Sequence, residues 1–510
     1  MVTMNKSPLA DEQPTSANPS VASRFFSGTL SIGAARASTI ILGLISMMIA
    51  VRNITIDEYG AYVLLIIILT FLTEFTSIGM TLSIPRYLAS SHDQTYKQTL
   101  QNTVLYFRLF VIVVVDFLFL ISHPLLVGFL GDSPLLDLFV YWPLLFGLSS
   151  LSHLLNAILR GRFDFASLGV IEFVTNVIEL LVLGIAIFVF HHGLDGLIYA
   201  KIISSALYVV MGYLKSHFRH NWNMDMPVLK ELLRFGFPLQ MQYLLDFSFN
   251  RMDTMIIGSF LGTAGIAYYE IARKIPDSLM QTYPVFVSVY FPISANMYAS
   301  ETKKKTEKLM NTSMRLLAFL TVFGTLVTVV FGRDIIRLLF SETYLPSYFT
   351  FVLLMVGLTL KVTENTLGYS LVAIGESNKP LIVNAVRAVF SLAGNVIFLP
   401  LAGFVSAAFV SVASNLVAIP LDAFFLRRRK ISSNFMEVLK PLVVLAVFSL
   451  IFFAFSASSL LLKWGLVLLY IPVCLLVAIV TRHDFSVIFK EAQNTCTRVF
   501  KREHLSSGSK

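Results

Sequence analysis

Residues 235–297 read FGFPLQMQYLLDFSFNRMDTMIIGSFLGTAGIAYYEIARKIPDSLMQTYPVFVSVYFPISANM. The stretch divides at Leu261-Gly-Thr-Ala264 into two arms, each long and apolar enough to cross a bilayer as a helix. The arms nevertheless carry Asp246, Asn250, Arg251, Asp253, Glu270, Arg273, Lys274 and Asp277. An ionised side chain at mid-membrane costs about 2.5–3.5 kcal/mol on the insertion scale, so such residues face a protein interior, a partner charge or water. With the turn centred on Gly262, Arg251 lies eleven residues before it and Arg273 eleven after. In an antiparallel hairpin the two guanidinium groups share one depth, a candidate seat for an anion. The alternative is local: Glu270–Lys274 and Arg273–Asp277 are spaced i,i+4, so the second arm can neutralise much of its own charge.

The same reading extends to the whole chain. Of 510 residues, 56% are hydrophobic and only 14% charged, well below the ~25% charged of soluble domains. Apolar runs of spanning length fall near 27–51, 59–81, 102–122, 136–158, 166–190, 195–214, 236–260, 265–295, 313–332, 348–371, 380–400, 403–425, 440–459 and 464–481. The expected fold is an all-α polytopic membrane protein of about fourteen transmembrane helices. Pro276, Pro284 and Pro292 predict a kinked eighth helix. Lys and Arg concentrate in alternate connections: Arg86 and Lys97; Arg160 and Arg162; Lys215 to Arg234; Lys303 to Lys308; Lys379; Arg427 to Lys440. This bias places both termini in the cytoplasm of an inner or plasma membrane. It also explains the net charge of +9 without nucleic acid. The polar first 24 residues lack the apolar core of a signal peptide and read as a disordered cytoplasmic tail. Cys474 and Cys496 provide neither a disulfide framework nor a metal cluster.

A repeat is visible. Ile54–Tyr62 corresponds to Leu261–Tyr269, Gly161 to Gly375, and Gly193–Gly196 to Gly403–Ser406, at offsets of 207 to 214 residues. Helices 1–6 and 7–12 thus read as two six-helix lobes of one orientation, related by a pseudo-twofold along the membrane normal, as in parallel-repeat transporters. The expected divisions are an N-lobe at 25–215, a cytoplasmic linker at 216–235, a C-lobe at 236–426, a basic loop at 427–439, two further helices at 440–481 and a basic tail at 482–510.

Other intramembrane charges suggest partners by depth: Arg36 with Glu74, Lys201 with Glu179, and Lys361 and Glu364 with Arg387; Arg108 and Asp116 share helix 3. Lobe-internal pairs that fix helix register would account for any one of these, but buried ion pairs stabilise weakly. For the whole set the better fit is a wet, cation-lined cleft between lobes, formed by Arg36, Arg251, Arg273, Lys274, Lys361 and Arg387. Arginine suits phosphate because its planar fork bonds oxygens in pairs. Glu74, Asp116, Asp253 and Glu364 are candidates to take a proton or sodium and couple it to transport. No other cofactor is implied.

The runs Ile54–Tyr62, Arg234-Phe-Gly-Phe-Pro238, Asn250-Arg-Met-Asp253, Ile257–Gly262, Leu339–Tyr344 and Ala373–Pro380 resemble the polysaccharide biosynthesis (Wzx-type, O-antigen) flippases of the multidrug/oligosaccharidyl-lipid/polysaccharide exporter superfamily. The likeness covers roughly residues 24–430; where the second copy of the turn motif usually has Gly before Tyr, this chain has Ala267. The resemblance implies two lobes about a central cavity, alternating access, and transfer of undecaprenyl-pyrophosphate-linked oligosaccharides to the outer leaflet. Cavity arginines would hold the pyrophosphate, with Arg36, Arg251 and Arg273 in plausible positions. The implied partners are the lipid-linked glycan, membrane lipids and glycan polymerase or ligase machinery. A cation-coupled exporter of small compounds from the same superfamily is the alternative, and its site should be lined by acids and aromatics. A membrane-embedded glycosyltransferase would need carboxylates on sizeable outer loops, which are too short here. A scaffold or sensor would not require the repeat or the midplane charges.

Overall fold

The computed structural model describes residues 38–91, 93–130, 134–219, 224–300, 303–454 and 460–477. Arg36, the tails at 1–24 and 482–510, and the side chains of Asp246 and Asn250 lie outside the described residues. Every regular element among the described residues is helical. In chain order they are α1 Ser38–Asn53, α2 Ile56–Phe75, α3 Met80–Ser90, α4 Gln94–Leu130, α5 Pro134–Phe139, α6 Trp142–Gly161, α7 Phe165–Phe188 and α8 Leu194–Ser216. Then follow α9 Met226–Met280, α10 Tyr283–Ser300, α11 Lys303–Leu339, α12 Tyr348–Ala373, α13 Asn378–Ala402, α14 Phe404–Arg428, α15 Met436–Ala454 and α16 Leu460–Leu476.

Among the described residues, eleven helices are long and apolar enough to cross a membrane, and α1 and α16 are shorter apolar helices. The chain is a multi-pass membrane protein. The fourteenth pass comes from α9, in which two helical arms join at Gly262 (φ 68°, ψ −166°). Such a backbone needs a residue without a Cβ. In one straight helix, Arg251 and Glu270 would stand about 28 Å apart, yet Arg251 Nη1 lies 3.2 Å from Glu270 Oε1. The two arms, 226–261 and 263–280, therefore fold back on each other, as the symmetric charges predicted.

Three expected spans are subdivided. The run 136–158 is α5 followed by α6, with a turn before Pro143 in the first turn of α6. The run 265–295 breaks at 281–282 between α9 and α10, just ahead of Pro284. Proline lacks an N–H, so it is favoured in the first turn of a helix; Pro276 and Pro292 lie within α9 and α10. The run 59–81 breaks between α2 and α3, where Ile78 (φ 49°) and Gly79 (φ 75°) are both left-handed.

The chain forms two compact units. The first holds residues 1–54 and 65–246, the second 55–64 and 247–510. Two close backbone approaches hold segments 226–246 and 55–64 in these units. Within the first unit, a Cβ on Gly79 would fall 2.0 Å from the Gly236 carbonyl oxygen. Gln240 seals that crossing: it accepts from the Gly79 N–H (2.7 Å) and the Ser77 hydroxyl (3.1 Å), and donates to the Glu74 carbonyl (2.8 Å). The supposed linker is thus helical from Met226 and packs Leu232 into the core of Ile84, Leu88, Leu100, Val104 and Ile158. Within the second unit, a Cβ on Gly60 would fall 1.9 Å from the Thr263 carbonyl oxygen, and the Thr263 hydroxyl donates to Asp57 at 2.7 Å. The helices α15 and α16, expected outside the repeat, pack on α11 through Val322, Leu326, Phe448 and Tyr470.

Candidate substrate cleft

The α9 hairpin places a dense polar cluster inside the second unit. Tyr269 donates its hydroxyl to Asp253 at 2.5 Å. Arg273 donates from Nε to Asp277 (2.9 Å) and from Nη1 to Asp253 (3.3 Å) and to the Thr254 hydroxyl (3.2 Å), and it lies 3.7 Å from Glu270. Arg251 bonds Glu270 across the hairpin, and Thr254 donates to the same carboxylate at 2.9 Å. Of the two i,i+4 pairs in the sequence, Arg273–Asp277 forms, and Glu270 is bonded by Arg251 of the opposite arm.

Beside the cluster is a cleft of about 110 Å³, walled by α9, α12, α13 and α14 and lined by Asp253, Arg273, Asp277, Lys361 and Arg387. Arg387 of α13 donates to Glu364 of α12 at 2.9 Å, as the depth argument expected. Asn395, Ser411 and Asn415 add uncharged polar groups to its wall. Lys274 is half-buried and is not part of the lining.

The expected excess of positive charge is not found in this cluster. Arg251, Arg273, Lys361 and Arg387 are met by Asp253, Glu270, Asp277 and Glu364, all in the same unit. The hairpin itself explains this, because folding back brings each arm's acids to the other arm's arginines. The three arginines still differ. Arg273 is 10% exposed and surrounded by acids, whereas Arg251 is 33% exposed and Arg387 21% exposed, each with one carboxylate partner. Because a guanidinium has five N–H donors, Arg251 and Arg387 keep donors for an incoming group.

The first unit holds its own buried charges. Glu74 meets His153 of α6 at 3.0 Å; its expected partner Arg36 lies outside the described residues. Arg108 is fully buried and donates to the Thr73 carbonyl (2.8 Å) and the Thr76 hydroxyl (3.2 Å). It serves the end of α2 rather than Asp116, one of whose oxygens is buried without a hydrogen bond. Lys201 and Glu179 pair at 3.4 Å. Sequence reasoning missed His153 and Asp422. Asp422 of α14 is 0% exposed, with neither carboxylate oxygen hydrogen-bonded. Asp422 lies in the last two turns of α14, which continues to Arg428.

Ion pairs buried in spanning helices, and a polar cleft among the helices of the second unit, are the build of a membrane transporter. Residues 49–348 match the polysaccharide biosynthesis protein family, and the chain belongs to it. It is 24% identical over 401 residues to the teichuronic acid biosynthesis protein TuaB of Bacillus subtilis, covering 76% of this chain and 80% of TuaB. Its fold is similar to that of the lipid II flippase MurJ in an inward closed conformation: TM-score 0.70, 16% identity, 88% of this chain and 99% of that one. It is also similar to an inward-facing multidrug resistance MATE transporter of the MOP superfamily: TM-score 0.63, 16% identity, 77% of this chain and 94% of that one.

Proposed function

We propose that the protein is a flippase that carries a lipid-linked oligosaccharide or polysaccharide precursor from the inner to the outer leaflet of the cell membrane by alternating access, with both termini in the cytoplasm. Family membership across residues 49–348 carries this reading. The arginines of the second unit supply its chemistry. Arg387, in the cleft lining, and Arg251, in the adjoining cluster, are the phosphate-facing groups, since each has one carboxylate partner among the described residues and donors that match phosphate oxygens. Arg273 and Lys361 set the positive field of the cleft wall. Arg36 and Lys274 remain candidates on sequence grounds.

Pairing suggests how transport is coupled. An anionic headgroup reaching Arg387 competes with Glu364 for the same fork. A carboxylate displaced in a low-dielectric site is costly unless it takes a proton or a cation. Glu364 is therefore the leading coupling group, with Asp253, Glu74 and Asp116 behind it. The cargo would pass onward to glycan polymerase or ligase machinery. Deletion of the gene should cause a lipid-linked saccharide to accumulate on the inner leaflet. Arg387→Ala should abolish surface glycan while protein remains in the membrane at normal level, and Arg387→Lys should rescue only in part. Normal glycan output from Arg387→Ala/Arg251→Ala would refute the assignment.

The acids that match the cations of the cluster favour one second reading, a cation-coupled exporter of small compounds. Drug efflux by a strain with unchanged surface glycan would select it.

A further inference from the structure

The break between α2 and α3 has a consequence on the outer surface of the first unit. Ile78 and Gly79 are both left-handed, and Ile78 lines an apolar groove of about 660 Å³ with Leu229, Leu233 and Phe237 of the first arm of α9, Lys230 and Arg234 on its walls. Phe237 is 53% exposed, so the groove is open on the side where a spanning helix meets lipid. Lys230 and Arg234 are exposed and stand one helical turn apart. Arg86 lies over the Phe235 ring at 4.0 Å, adding a third exposed cation to the neighbourhood.

These cations differ from those of the cleft. Arg251, Arg273 and Arg387 are already paired with carboxylates, whereas Lys230 and Arg234 have no ion-pair partner among the described residues. Glu231, the neighbouring acid in sequence, interacts with Tyr87 of α3. The Lys and Arg bias assigns this end of α9 to the cytoplasmic side, where the leaflet surface is anionic. A long apolar trough beside two unpaired cations at the headgroup level matches a molecule with one anionic head and one hydrocarbon chain.

We propose that this groove binds a phosphate-headed lipid of the inner leaflet, with its phosphate on Lys230 and Arg234 and one chain along Ile78, Leu229, Leu233 and Phe237. The site is separate from the cleft, and its occupation does not depend on what the protein transports. The tail gives the site its preference for lipid over free phosphate, and the cations give it a preference for anionic over zwitterionic heads.

The full chain, purified in a neutral detergent, is titrated with phosphatidylglycerol and with phosphatidylcholine, and bound lipid is counted by native mass spectrometry. Phosphatidylglycerol should saturate a site that phosphatidylcholine does not fill. A surface cation contributes about a fivefold preference for anionic lipid, so Lys230→Gln and Arg234→Gln should each weaken binding about fivefold and the pair about 25-fold. Both positions are exposed, so the variants should fold. Phe237→Gln, also at an exposed position, should weaken phosphatidylglycerol binding without altering the head-group cations. Unchanged binding in the Lys230→Gln/Arg234→Gln protein would reduce the groove to ordinary annular contact and overturn the proposal. Displacement of the lipid by inorganic phosphate at equal concentration would overturn it too, because the chain would then contribute nothing. Since no glycan, gradient or flipping is read, failure here would leave the transport reading intact.

Discussion

Arg251 and Arg273 are equivalent in the sequence, each eleven residues from Gly262, but the structure predicts that alanine at the two positions will act through different causes. Arg273 is 10% exposed and lies 2.9 Å from Asp277, 3.3 Å from Asp253 and 3.7 Å from Glu270. Removing it leaves three carboxylates around an empty centre. Breaking a buried pair by deleting one partner costs about 3–5 kcal/mol, because the remaining charge keeps its desolvation penalty and loses its compensation. Arg251 is 33% exposed and touches Glu270, which retains Thr254 and Arg273 as neighbours. Its loss should cost about 1 kcal/mol. For a folding unit of roughly 250 residues, 1 kcal/mol moves Tm by about 2 °C. Arg273→Ala should therefore lower Tm by about 6–10 °C and Arg251→Ala by about 2 °C.

The measurement is a thermal melt of each detergent-solubilised variant, followed by fluorescence-detected size exclusion, alongside surface glycan in cells. Both arginine variants should lose glycan, but only Arg273→Ala should lose folded protein first. Adding Asp253→Asn to Arg273→Ala removes one stranded charge and should restore several degrees, a coupling that a double-mutant cycle isolates. An Arg273→Ala protein as stable as Arg251→Ala would refute the reasoning. In that case the three acids would not be held by Arg273, and its guanidinium would be a substrate contact like the other.

Gly60→Ala places a Cβ 1.9 Å from the Thr263 carbonyl oxygen; overpacking against backbone should cost about 1–3 kcal/mol, read as a loss of Tm, and a neutral result would mean that α2 does not approach the hairpin turn this closely. Asp422→Asn replaces a buried carboxylate without hydrogen bonds by a neutral isostere, so Tm should rise; a fall would show that the carboxylate holds something. Glu364→Gln leaves Arg387 in place without its carboxylate competitor; binding of a pyrophosphate-headed lipid should tighten while glycan output falls, and unchanged output would remove Glu364 from the coupling step.

The hairpin was legible because charge is symmetric about a glycine, and helix pairs were legible where depth alone chose the partner, as for Arg387 with Glu364 and Lys201 with Glu179. Two kinds of feature were not. Breaks such as Ile78-Gly79 leave no trace in hydropathy, since the left-handed pair sits within an apolar run and depends on Gln240, more than 160 residues away in sequence. Pairing among several candidates at one depth was not legible either. By sequence Glu270 could be assigned to Lys274 on its own helix or Arg251 on the other, and the fold-back at Gly262 is what brings it to Arg251. The same fold-back turns an apparent surplus of cations into a matched set.

A matched set is better suited to carrying an anion than an unpaired one. A cleft of unopposed arginines in a medium of low dielectric would hold a pyrophosphate too firmly to release it, and would be strained when empty. With Glu364 on Arg387 and Glu270 on Arg251, the empty state is already satisfied. On the proposed reading, the free energy of binding a phosphate would be the difference between two partners for one fork, small enough to be reversed. That exchange works only where the arginine has one acid to give up. Arg273, held among Asp253, Glu270 and Asp277, cannot release three at once, so the arginine closest to the centre of the cluster is the one least able to act on cargo.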